Sequence, residues 1–130
     1  MPRTAEDVEN FLMQLDRRYE NDGGTYLVNS AGGEMPPIAI RVAPPIVAIR
    51  VAIGALPPDR EHQAKLFRRL LEYNATDLMH ASYGIDNSTI VLSAALPLDN
   101  LDQNELEAIL SDLDLALARH VPTLHDLATT

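Results

Sequence analysis

Residues 36–54 read PPIAIRVAPPIVAIRVAIG, and they say nearly the same thing twice. Ile38, Ile40 and Val42 alternate with Ala39 and Arg41; Val47, Ile49, Val51 and Ile53 alternate with Ala48, Arg50 and Ala52. A period of two is the signature of a strand with one buried face, and two such runs in succession predict an antiparallel hairpin. Parity then constrains the fold. The two aliphatic sets share a face only if the connecting loop holds an even number of residues, whereas an odd loop sets aliphatics beside Arg41. Two prolines do not supply the positive φ of a tight primed turn, so a four-residue loop, Ala43-Pro44-Pro45-Ile46, is expected rather than two. One face of the hairpin is then wholly aliphatic, and the other carries Ala39, Arg41, Ala48, Arg50 and Ala52. The arginines also break the apolar runs too soon for them to span a bilayer.

The flanking sequence supplies elements to cover the aliphatic face. Thr4 with Asp7 three residues on is a capping signal. Val8, Phe11, Leu12, Leu15 and Tyr19 follow at helical spacing, predicting a helix over 4–19 that Asn21-Asp22-Gly23-Gly24 stops. TYLVNS (25–30) reads as a strand and AGGE (31–34) as a turn. Pro57-Pro58-Asp59 marks a second helix start, with Leu66, Phe67, Leu70 and Leu71 as its stripe to about Asn74. MHASYGID (79–86) alternates Met79, Ala81, Tyr83 and Ile85 with polar positions. TIVLSAAL (89–96) sets Ile90, Leu92, Ala94 and Leu96 on one face. The last helix starts at the cap Asp102, with Glu105 at its third position and Leu101 placed to staple onto Leu106. Its stripe is Leu106, Ile109, Leu110, Leu113 and Leu117. Pro122 ends or kinks it, leaving 122–130 as a fraying tail. The expectation is one α+β domain over 1–130, ordered over about 4–121, in the order α-β-β-β-α-β-β-α: an antiparallel twisted sheet with helices packed on it.

Composition narrows the function. A chain of 130 residues can bury roughly two-thirds of its unfolded surface in one domain. There is no cysteine, hence no disulfide, thiolate zinc site or thiol nucleophile. A formal net charge of −9 argues against nucleic acid and anionic lipid as partners. The N-terminal MPRTAEDVENF lacks the apolar stretch of a signal peptide, so a soluble cytoplasmic protein is expected.

No constellation points to catalysis, a cofactor or a metal. His62, His80, His120 and His125 form no ligand spacing and read as surface or capping residues, His120 in a last helical turn where a cation suits the dipole. Gly23-Gly24 and Gly32-Gly33 are turn glycines outside any phosphate-binding context. Asp112 and Asp114 sit two apart on a helix and point about 200° from each other, so they are no carboxylate pair. What remains is contact. The Ala/Arg sheet face (Arg41, Ala48, Arg50, Ala52) and the second helix around His62, Leu66 and Arg69 are the candidate surfaces for a second subunit or a partner. A solvated face, or one covered by the second helix, is the plainer reading.

The C-terminal half carries a resemblance. Leu70, Leu71 and Asn74 end the second helix, and a hairpin with Ile85-Asp86 near its tip follows. An apolar strand then leads to Leu96-Pro97-Leu98, before a helix opening Leu101-Asp102 to Leu106. This phrasing, over about residues 66–121, resembles the YbjN-like proteins and the class I type III secretion chaperones of the CesT type, which share one fold. The absence of tryptophan, Pro122 in the last helix and the alanine-rich strands lean the likeness toward the YbjN-like branch. The resemblance implies a non-catalytic homodimer that holds an unfolded or extended segment of another protein. The alternative is a regulatory or sensory domain binding a small ligand between helices and sheet; an enzyme is the weakest third.

Overall fold

The computed structural model describes residues 3–30 and 35–129, so the turn expected over 31–34 lies outside the described residues. These residues form three helices and four strands before, and two after, the second helix. They are α1 (Ala5–Gln14), β1 (Tyr19–Asp22), β2 (Thr25–Val28), β3 (Ile38–Ala43), β4 (Ile46–Ala55), α2 (Arg60–Thr76), β5 (Ser82–Asp86), β6 (Thr89–Pro97) and α3 (Gln103–Thr129). The strands make one six-stranded sheet, ordered β1-β2-β3-β4-β6-β5, with every neighbouring pair antiparallel.

The β3–β4 hairpin has the expected parity but a shorter loop. Ile40 faces Ile49, Val42 faces Val47 and Ala43 faces Ile46, leaving Pro44 and Pro45 alone at the turn. The Pro44–Pro45 peptide bond is cis. Ala43 and Ile46 join the ladder instead of the loop, and the count stays even. Both aliphatic sets therefore point the same way. Ile38, Ile40, Val47, Ile49 and Val51 are buried with Tyr26 and Val28 of β2, Leu92 of β6 and Tyr83 of β5.

All three helices send their buried side chains to that one face. Val8 and Leu12 of α1, Leu66 and Leu70 of α2, and Leu106, Ile109, Leu110, Leu113 and Leu117 of α3 join the same core cluster as the sheet residues. The caps that start these helices are formed as expected. Thr4 and Asp7 exchange side chain–backbone hydrogen bonds, Asp59 accepts from the His62 amide, and Asp102 and Glu105 form the reciprocal pair.

Two differences from the expected elements have simple causes. Helix α1 stops at Gln14, and Asp16 takes a positive φ of 58°. Tyr19 belongs instead to β1, which folds back on β2 through Gly23 and Gly24, both with positive φ. Tyr19 had continued the spacing of Leu12 and Leu15, and YEND has too few β-formers to announce a strand. Met79 likewise lies outside β5, which starts at Ser82, and it is 86% exposed.

Helix α3 neither ends at Pro122 nor frays after it; it runs to Thr129. An interior proline costs about 3 kcal/mol through the lost hydrogen bond and ring clash. Here Leu124 is 2% exposed, and Val121 and Leu127 pack against the core, which offsets that cost. Leu124→Ala is thus expected to destabilise the protein by about 2–5 kcal/mol in urea titration, where a frayed tail would show almost no change.

Candidate functional site

The sheet face opposite the core is left open. Along the β3–β4 register Arg41 lies across from Ala48, and Ala39 across from Arg50; β6 continues these rows with Ala95 and Ser93, and β5 with Ser82. Arg41, Arg50, Ala52, Ser82 and Ala95 are exposed. Thr25, Ala39, Arg41, Ala48, Arg50, His80 and Ser93 border a shallow concavity of about 640 Å³. Arg50 donates to Asp86 at 2.7 Å in an ion pair whose two side chains are each half-exposed, 53% and 50%. Arg41 has no ion pair among the described residues. Of the residues singled out from sequence, Arg41, Ala48 and Arg50 thus come together, with Ala52 further along β4 on the same side.

Helix α2 does not cover this face. It packs against α3 and the edge strand β5. Leu66 is 0% exposed within the core, so it offers nothing to a partner and leaves the set of candidate contacts. His62 sits in the first turn against its cap Asp59, whose carboxyl is held below its usual range by the His62 amide and then by the His62 ring. Arg69 lies 3.6 Å from Glu72 and over the Tyr73 ring. The outward stripe of α2 is Ala64, Phe67, Leu71 and Ala75, with Leu71 68% exposed. Between this stripe and β5 runs an apolar groove of about 320 Å³, lined by Phe67, Leu70, Leu71, Asn74, Tyr83 and Ile85. The groove stops short of full edge exposure, because the Asn74 amide donates to the Tyr83 carbonyl at 3.1 Å and accepts from its N–H at 2.7 Å.

His120 departs most from its sequence reading. It is not in a last turn but mid-helix in α3, and it is 2% exposed. Its ring stacks on Tyr73 at 3.6 Å between centroids. Nε2 lies 3.0 Å from Asp77 at the C-cap of α2, and Nδ1 lies 2.7 Å from the Tyr83 hydroxyl. A carboxylate only accepts, so Nε2 carries a proton toward Asp77, and Nδ1 and the Tyr83 hydroxyl share the second hydrogen bond. The imidazole and the Thr76 hydroxyl hold the Asp77 carboxyl below its usual range, while burial, with Tyr73 and Asp77 nearby, pushes the Tyr83 phenol up. A carboxylate–imidazole–hydroxyl order superficially suggests a relay. Yet the hydroxyl is buried in the core, and the recess beside Asp77 and His120 is about 20 Å³, room for one water and no substrate. The triad ties α2, α3 and β5 together. Its signal was in the sequence: Leu113, Leu117, His120 and Leu124 share one helical stripe.

The other histidines and carboxylates do not converge. His80 lies 3.5 Å from Asp112, whose buried Oδ2 makes no hydrogen bond, and Asp114 pairs with Arg17 at 2.6 Å on another side of α3. Among the described residues no group of three or more His, Cys, Asp or Glu is placed to hold a metal ion, and no helix is long and apolar enough to cross a membrane.

Known proteins share this architecture. The CesT_Tir_1 family profile matches residues 1–130. A chain of the heterodimeric ExoU–SpcU complex from the type III secretion system of Pseudomonas aeruginosa superposes with a TM-score of 0.71 at 20% identity, covering 94% of this chain and 98% of that one. YbjN of E. coli gives 0.67 at 10% identity, covering 91% and 87%. A chain of the complex of the Yersinia pestis type III secretion chaperone SycH with a stable fragment of YscM2 gives 0.58 at 14%, covering 87% and 98%. At these identities the likeness shows the fold alone. Comparison with curated proteins gives no significant match.

The buried Tyr83 phenol makes stability depend on alkaline pH. Its folded pKa is raised above the ordinary 10.0, so its contribution is full below that pH and is lost as pH rises beyond it. Thermal melts should therefore fall steeply above pH 10. Tyr83→Phe, which leaves Nδ1 without its hydrogen-bond partner, should cost about 1–3 kcal/mol at pH 7 and flatten that alkaline slope.

Proposed function

Because the chain belongs to the CesT_Tir_1 family, we propose that it is a cytoplasmic, non-catalytic homodimer that holds a segment of another protein. The observation carrying this reading is apolar surface set out in solvent beside a sheet edge. Leu71 is 68% exposed and Ile85 40%, on either side of the α2–β5 groove, in a chain of net charge −9. Such surface fits a protein partner better than solvent. The solved complexes of the same fold support it: ExoU–SpcU is a heterodimer, and SycH is a chaperone bound to a YscM2 fragment.

For self-association the stripe Ala64, Phe67, Leu71 and Ala75 suits a second copy of α2. Arg68 and Glu72 flank it, so an antiparallel crossing sets the arginine of each helix beside the glutamate of the other. Such pairing draws on Phe67 and Leu71, which also line the groove, so the open sheet face and the Tyr83–Ile85 side of the groove remain for the partner segment.

Light scattering on a sizing column tests the assembly. The protein should run as a dimer at micromolar concentration, and Leu71→Glu should halve its mass without loss of helical circular dichroism. A wild-type monomer that also retains no segment from a peptide array would overturn the reading.

A further inference from the structure

We propose that the open Ala/Arg face receives an extended acidic segment of the held protein, Arg41 and Arg50 each taking one of two carboxylates spaced two residues apart. This deepens, and rests on, the reading of the protein as a holder of partner segments. Three observations converge on it.

The first is spacing. Arg41 lies opposite Ala48 and Arg50 opposite Ala39, so the two arginines are diagonal neighbours on adjacent strands. Diagonal neighbours stand about 7–8 Å apart, and same-side residues of an extended chain repeat at about 6.5–7 Å, so one strand's alternate carboxylates reach both guanidinium groups. The second is the floor. Ala39, Ala48, Ala95, Ser82 and Ser93 hold no bulk above the sheet, which lets a backbone lie close while the arginines rise beside it. The third is an internal stand-in. The Asp86 carboxylate already sits on Arg50 at 2.7 Å, half-exposed and therefore exchangeable, whereas Arg41 has no ion pair among the described residues.

The chain's net charge of −9 does not oppose this at close range. Glu20 and Asp22 share the open face but stand on β1, two strands from β3. The β1 and β3 backbones stand about 10 Å apart, with Thr25 of β2 between Asp22 and Arg41. The overall acidity discourages diffuse association and leaves the arginine pair to select for spacing.

Fluorescence anisotropy with two labelled peptides decides the matter, one with aspartates at alternate positions and one with asparagines in their place. The aspartate peptide should bind about tenfold tighter, the advantage shrinking in high salt. Arg41→Gln should remove about fivefold of it. Asp86→Asn, by freeing Arg50, should strengthen binding. Equal binding of the two peptides, or weaker binding by Asp86→Asn, overturns the proposal. So does a change of oligomeric mass in Arg41→Gln with peptide binding unaltered, which would make the face a subunit contact. Discrimination that persists in the Leu71→Glu monomer supports it. Capture of segments through the groove without any aspartate preference would sink this inference alone and leave the proposed function standing.

Discussion

The pairing of β3 with β4 governs everything else in the molecule. With Val42 opposite Val47 and Ile40 opposite Ile49, both strands turn their aliphatic residues to one side and their alanines and arginines to the other. A one-residue slip would exchange those faces on one strand and bury a guanidinium among leucines, an outcome several kcal/mol uphill. Since β2 extends the sheet from β3 and β6 from β4, the choice made at Pro44-Pro45 propagates to every row. The helices then have one place to go, and on the opposite face Arg41, Arg50, Ala52, Ser82 and Ala95 stay exposed, while Val91 beside Ala52 is buried. Openness is thus a consequence of register.

Much of this was legible because it depends on period and parity alone. The aliphatic face, the three helix starts and the family phrase at the C-terminal half all follow from spacing that can be counted. What escaped was set by tertiary context. The loop is two residues rather than four because Ala43 and Ile46 pair with each other and carry the ladder up to the prolines. β1 was hidden since four polar residues become a strand only when Tyr26 is there for Tyr19 to meet edge-to-face at 6.0 Å. Helix α3 outlasts Pro122 because packing at Leu124 outweighs a local propensity, a contest no window of sequence can weigh.

The candidate surfaces were legible by halves. The arginine face was readable from alternation, whereas the side of α2 that faces solvent was not. Leu66 and Leu71 are both leucines on one helix, and only the position of the core tells which is hidden. The stripe of α3 marks His120 as inward-facing, but its partners Tyr73, Asp77 and Tyr83 lie far before it in the chain, so no motif announces them.

The Asn74 amide at the sheet edge carries one more consequence. In an antiparallel strand alternate residues direct their backbone groups outward, and within β5 those are Tyr83 and Ile85. Asn74 occupies the first of these rungs and leaves the second bare. A sheet with a complete free border invites its own kind to stack without limit, the beginning of a fibre. A border with one rung filled by its own side chain offers a visiting strand a shorter ladder than a bare edge would.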